Sequence, residues 1–151
     1  MAEIRKSVLV EHSADAMYAL VDGIEQYPAF LPWCGGADVE RTDARHLTAR
    51  LHIQYHGIKA HFATVNDNEP GRLICMRLKD GPFRRLDGEW RFTPLAASAS
   101  KVEFSLQYEF SNIVLEKVLG PVFNHIANSF VEAFIQRARQ LEAQSAGPSA
   151  T

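Results

Sequence analysis

The sequence predicts an α+β domain in which a curved antiparallel sheet of about six to seven strands wraps around one long C-terminal helix. Three observations carry that prediction. Apolar and polar residues alternate through residues 47–64, 84–93 and 102–110, the period of strands with one buried face. After Ser111 and Asn112 the period becomes helical, with Leu119, Phe123, Ile126, Phe130, Phe134 and Leu141 on one face. After a first strand and short helices, the remaining strands come in one run before that helix, so the helix can bury its apolar face against one side of the sheet.

From the N-terminus, Ile4 to Val10 is β-branched and apolar enough for a first strand. Ser13 is placed to cap a helix through Met17, Leu20 and Val21, with Asp15 favourable in its first turn. Gly23 interrupts that helix, and Ile24 to Tyr27 can form a second short turn. The stretch QYPAFLPWC, residues 26–34, then sets Tyr27, Phe30, Leu31 and Trp33 among two prolines. Proline fixes φ and removes a donor, so this stretch cannot be the middle of a helix or a central strand, and a loop is expected.

Period two sets in from Val39. Leu47, Ala49, Leu51, Ile53 and Tyr55 alternate with Thr48, Arg50, His52 and Gln54, and Ile58, Ala60, Phe62 and Thr64 continue the same face after a His56-Gly57 turn. A two-residue turn pairs Tyr55 with Ile58, Ile53 with Ala60 and Leu51 with Phe62, so each apolar residue meets another. Two further strands, residues 72–79 and 84–93, are joined by Asp80-Gly81-Pro82, and the second turns Leu86, Gly88, Trp90 and Phe92 inward. Val102, Phe104, Leu106, Tyr108 and Phe110 do the same in the last strand. Gly120-Pro121 is expected to kink or break the long helix one turn in. Residues 1–142 are read as a single domain and 143–151 as a disordered tail.

Composition removes whole classes of function. A chain of 151 residues, 46% hydrophobic and 23% charged, is ordinary for one globular domain. A net charge of −2 supplies no global field for nucleic acid. No apolar run approaches the ~20 residues that span a bilayer, and no secretory h-region follows the N-terminus. Two cysteines are too few for a disulfide framework, so a reduced, cytoplasmic setting is expected.

The inward strand positions offer the hydroxyls of Tyr55, Thr64 and Tyr108 but, by parity, no histidine or carboxylate. His52 and His61 fall opposite one another on the outward face without a third ligand, so no metal site is predicted. Cys34 has no base beside it in sequence and is read as structural; His125 is read as a surface or boundary residue. No phosphate loop or dinucleotide fingerprint is present. No catalytic residue and no required cofactor is predicted. The inward aromatics (Tyr55, Phe62, Trp90, Phe92, Phe104 and Tyr108, opposite Phe123, Phe130 and Phe134) fit either a solid core or the lining of an apolar cavity. Their pattern alone favours the solid core.

Five segments resemble a known family in matching order: HSADAMYALV, YPAFLPWC, GPFRRLDGEWRF, VEFSLQYEFSN and GPVFNHIANSFVEAF. They are similar to the coenzyme Q-binding, START-like family of the polyketide cyclase/dehydrase-like superfamily, a group that includes the RatA-type ribosome association toxins. The resemblance runs from about Lys6 to Leu141, with one departure at Gly23, where the family pattern has an acidic residue beside Asp22. It implies a helix-grip (START-like) fold around a hydrophobic tunnel, and so favours the cavity reading.

The resemblance also implies a non-catalytic protein that binds ubiquinone, another polyprenyl quinone or a similar lipid in support of respiratory quinone function. The cavity would be lined by Leu51, Tyr55, Phe62, Trp90, Phe92, Phe104, Tyr108, Phe123, Ile126 and Phe130. Phe30, Leu31 and Trp33 would form an apolar rim facing a membrane surface, with the protein cytoplasmic and peripheral to the inner face of that membrane. In the competing reading, Phe30 and Trp33 plug one end of the core, and both readings stand. The alternative function implied by the RatA resemblance is binding to the large ribosomal subunit so as to block subunit association. That requires a cationic face. Lys79, Arg84, Arg85 and Arg91 cluster around one hairpin, with Arg72 and Arg77 near in sequence, and are diluted by Asp80, Asp87 and Glu89.

Overall fold

The computed structural model describes residues 2–146. Strand β1 (Ala2–Val10) turns into helix α1 (Ala14–Asp22), a 3-10 turn over Ile24–Gln26 and the one-turn helix α2 (Tyr27–Phe30). Strands β2 (Cys34–Arg41), β3 (His46–Tyr55), β4 (Ile58–Glu69), β5 (Leu73–Asp80), β6 (Phe83–Ala96) and β7 (Ala99–Phe110) follow as an antiparallel meander, and helix α3 (Ile113–Ala146) ends the fold. The seven strands lie in the order β1-β7-β6-β5-β4-β3-β2, so β1 returns to pair with the last strand. The curved sheet grips α3 on one face.

Local signals in the sequence operate as their chemistry requires. The Ser13 hydroxyl oxygen accepts a hydrogen bond from the Ala16 N–H at 3.0 Å and so caps α1. Ser13→Ala is expected to cost about 1 kcal/mol in a denaturant titration; a loss below roughly 0.3 kcal/mol would make the cap redundant. In the β3–β4 hairpin Tyr55 pairs with Ile58, Ile53 with Ala60 and Leu51 with Phe62. His56 and Gly57 both take positive φ, 49° and 80°, the combination that matches the twist of a two-residue hairpin. At the β5–β6 turn Gly81 has φ 141°, and a Cβ there would lie 2.7 Å from the Phe62 Cβ, so only glycine fits.

The stretch from residue 26 to 34 differs from the expected loop. Tyr27–Phe30 closes one helical turn with Pro28 at its start, where the missing N–H costs no hydrogen bond. Strand β2 begins at Cys34, earlier than Val39, and runs through Gly35-Gly36 with a register shift between Cys34 and Gly36. Helix α3 is continuous through Gly120-Pro121 and does not break. Lys117 and Pro121 are both exposed, so the carbonyl left without a partner faces water.

The buried stripe of α3 runs through Phe123, Ile126, Ala127, Val131, Phe134, Ile135 and Ala138. Leu141 keeps the same angular face but is 40% exposed, because the helix outruns the surface it packs against. The helix continues over 143–146, residues assigned from sequence to the tail; the rest of that expected tail lies outside the described residues. Among the described residues no helix is long and apolar enough to cross a membrane.

Candidate ligand cavity

Between the sheet and α3 lies a cavity of about 60 Å³. Alternation along β3 to β7 aims Leu51, Phe62, Ile74, Met76, Leu86, Trp90, Phe104 and Leu106 at it. Helix α3 contributes Phe123, Ile126, Ala127 and Phe130, and the α1–α2 segment closes it with Val21, Asp22, Ile24 and Tyr27. The volume is room for a few waters and is well below the roughly 150 Å³ cavity known to admit benzene. The tunnel implied by the resemblance is therefore constricted here, where the aromatic rings converge: Trp90 lies 4.6 Å from Phe104 and 5.6 Å from Phe130, centroid to centroid. A ring-bearing molecule enters only if such side chains move.

Of the residues assigned to the cavity from sequence, Trp33, Leu51, Phe62, Trp90, Phe104, Phe123, Ile126 and Phe130 line it. Phe92 is buried behind it, between Trp90 and Tyr18. Tyr108 packs on Phe83 and Phe123, with its hydroxyl 3.5 Å from Asn124 Oδ1. Tyr55 stacks on His125 at 5.5 Å near the surface.

The rim reading of residues 30–33 is corrected. Leu31 and Trp33 are only 1% and 4% exposed, and Phe30 is half-buried on Phe134 under the Arg137 guanidinium. The cause is Tyr27, whose hydroxyl donates to the Val21 carbonyl and whose ring meets Phe130 and Phe134, folding the segment inward. Burial pushes the Tyr27 phenol well above its ordinary pKa. The stretch plugs one end of the core. Burial likewise raises the Cys34 thiol, which sits 3.3 Å from the Gly36 carbonyl and is unsuited to nucleophilic chemistry.

Sequence parity placed Thr64 inward but missed the rest of the polar end of the cavity. Thr64, Asn66 and Asp22 all line it. Strand β4 runs to Glu69, so period two carries past Thr64 and turns Asn66 and Asn68 inward as well. Two asparagines at positions where the pattern calls for apolar residues were the available signal. Asp22 could not be found by strand parity, because it stands at the end of α1. Asn68 Nδ2 donates to Asp22 Oδ1 at 2.9 Å, and Arg41 Nη1 approaches the same oxygen at 3.3 Å. Arg41 also reaches the Asp22 carbonyl at 2.9 Å and Glu25 at 3.0 Å, tying β2 to the α1–α2 segment. Its hydrogen bond holds the Glu25 carboxyl below the usual range. The Tyr18 phenol is raised, by burial first and by Asp22 second.

The basic hairpin residues stand among acids. Arg84 is 3.6 Å from Glu109, Arg85 is 2.7 Å from Asp87 and Arg91 is 3.5 Å from Glu89. Lys79 is exposed next to Asp80, which Arg50 pairs at 2.7 Å. The outer face is thus one of mixed charge. His52 and His61 are cross-strand neighbours there, with His52 Nε2 2.8 Å from Asp38. Among the described residues no three histidine, cysteine or acidic side chains are grouped to hold a metal ion.

The family of polyketide cyclases/dehydrases and lipid transport proteins matches residues 10–135. The chain belongs to this family. The ribosome association toxin RatA of Vibrio cholerae is 41% identical over 141 residues, covering 93% of this chain and 98% of that one. The mitochondrial coenzyme Q-binding protein COQ10 of Drosophila melanogaster is 25% identical over 139 residues, covering 89% of this chain and 57% of that one. Among solved structures, the Zhui aromatase/cyclase of a Streptomyces species superposes with a TM-score of 0.80 at 17% identity, covering 92% and 94% of the two chains. That likeness shows the fold, a seven-stranded sheet gripping a C-terminal helix.

Proposed function

We propose that this family member acts in the bacterial cytoplasm by associating with the ribosome, binding the large subunit and opposing its joining to the small one. The observation that carries this reading is the 41% identity to a protein named a ribosome association toxin, sustained over nearly the whole of both chains. This reverses the order of the two functions implied by the resemblance. Binding is the activity proposed, with no bond made or broken. The hairpin arginines are held by exposed ion pairs, each worth about 0–1 kcal/mol, and Arg84 also by a hydrogen bond to the Ser111 carbonyl at 3.3 Å, so they can exchange an acid for a phosphate at little cost. Purified protein is expected to co-sediment with large subunits, and Arg84→Ala with Arg85→Ala to weaken that binding and flatten its salt dependence by about one unit per lost contact. Absence of binding by the unmutated protein would overturn the proposal.

A second reading is supported by the cavity, whose walls are apolar apart from one end. We propose that it opens around an apolar small molecule, a quinone or another lipid, a reading to which the 25% identity with a coenzyme Q-binding protein lends support. Mass spectrometry of organic extracts from natively expressed protein tests it. A near-stoichiometric lipid is the expected result, and repeatedly empty extracts would count against it.

A further inference from the structure

Strand β4 places three polar side chains in succession on a face that is otherwise apolar. Thr64, Asn66 and Asn68 are 6%, 2% and 2% exposed. Burying such groups costs free energy unless each is hydrogen-bonded, and native interiors rarely leave one unpaired. Here the pairing is incomplete in a particular way. The Thr64 hydroxyl donates to Asn66 Oδ1 at 2.8 Å, which leaves the Asn66 amide N–H groups without a partner among the described residues. Asn68 uses its Nδ2 on Asp22, and its own Oδ1 is buried with no partner. The Asp22 carboxylate, on the cavity lining, can only accept.

The polar end therefore offers a free donor at Asn66 beside an acceptor at Asp22, and Asn68 braces Asp22 without itself lining the cavity. A hydroxyl complements both, because it donates one hydrogen bond and accepts others. A ketone or an ether only accepts, and would set its lone pairs against those of Asp22. A carboxylate would in addition meet the Asp22 charge.

We propose that Asp22 and Asn66, with Asn68 bracing Asp22 through its amide, form a subsite for the hydroxyl of an otherwise apolar molecule, an alkylphenol or a hydroquinone, in preference to the ketone, ether or carboxylate of the same skeleton. The inference rests on the reading that the cavity admits an apolar ligand. The hydroxyl site is already formed, whereas space for the ring and chain has to be opened among Phe62, Trp90, Phe104 and Phe130. Arg41 holds Asp22 in place by hydrogen bonds to its carboxylate and its backbone carbonyl.

The test uses the full chain and two redox-inert probes of nearly equal shape, 4-hexylphenol and 4-hexylanisole. Trp33 and Trp90 line the cavity, so their fluorescence reports binding. The phenol is expected to bind about tenfold or more tightly than its methyl ether, the worth of a hydrogen bond to a charged group. In Asp22→Asn, whose fold is checked by its melting curve, the ratio should fall to within roughly threefold, since the new amide can serve an ether as well. Equal binding of both probes by the unmutated protein would overturn the subsite while leaving the apolar-ligand reading intact. Binding of neither would overturn both. A folded Asp22→Asn that keeps the full preference would overturn the assignment to Asp22.

Discussion

Leu31→Glu is expected to lower stability by roughly 3–5 kcal/mol, enough to unfold much of a marginally stable domain at room temperature. Leu31 is 1% exposed and belongs to the core cluster, so the substitution places a carboxylate among apolar side chains. The new group escapes part of that cost by staying protonated, which raises its folded-state pKa above the ~4.3 of an unfolded glutamate. Where the folded chain binds the extra proton, stability falls as pH rises. The deficit should therefore be smaller near pH 4 than at pH 7, relative to the parent measured at the same pH. Denaturant titration at the two pH values checks both statements. A loss of about 1 kcal/mol or less at neutral pH, typical of surface positions, would restore the exposed-rim reading of residues 30–33.

Phe134→Ala is expected to cost about 3–5 kcal/mol for a different reason, the void that truncation leaves in a packed region. The Phe134 side chain is fully buried, and its ring centroid lies 5.0 Å from Phe130, 5.3 Å from Tyr27, 5.4 Å from Trp90 and 5.5 Å from Phe30. Phe104→Ala should cost clearly less. Phe104 lines the existing cavity, so part of its surface has no neighbour to lose. Equal losses for the two variants, measured in ligand-free protein, would mean that the core is solid at Phe104 as well.

The β3–β4 register was legible because everything that sets it is local. Two alternating runs and a His56-Gly57 turn admit one pairing that buries both apolar faces, and His52 opposite His61 followed from it. Extending the same alternation from Thr64 to Asn68 would have exposed half of the polar cluster. The other half could not be read this way, since Asp22 and Asn68 are 46 residues apart and belong to different kinds of element. The hairpin arginines illustrate the same limit. Arg85 and Asp87 are near neighbours in sequence, but the acid that meets Arg84 is Glu109, on the adjoining strand.

The sequence by itself determined the α+β class, the capped first helix, the faces of the central strands and the turn chemistry. Each depends on residues within a few positions of one another, where period and φ preference suffice. Tertiary structure alone decided that β1 closes the sheet against β7, that residues 30–33 plug the core, and that the cavity shrinks to about 60 Å³ with a carboxylate at one end. These outcomes depend on how much space remains once distant side chains have packed, and volume is a property of the assembled interior.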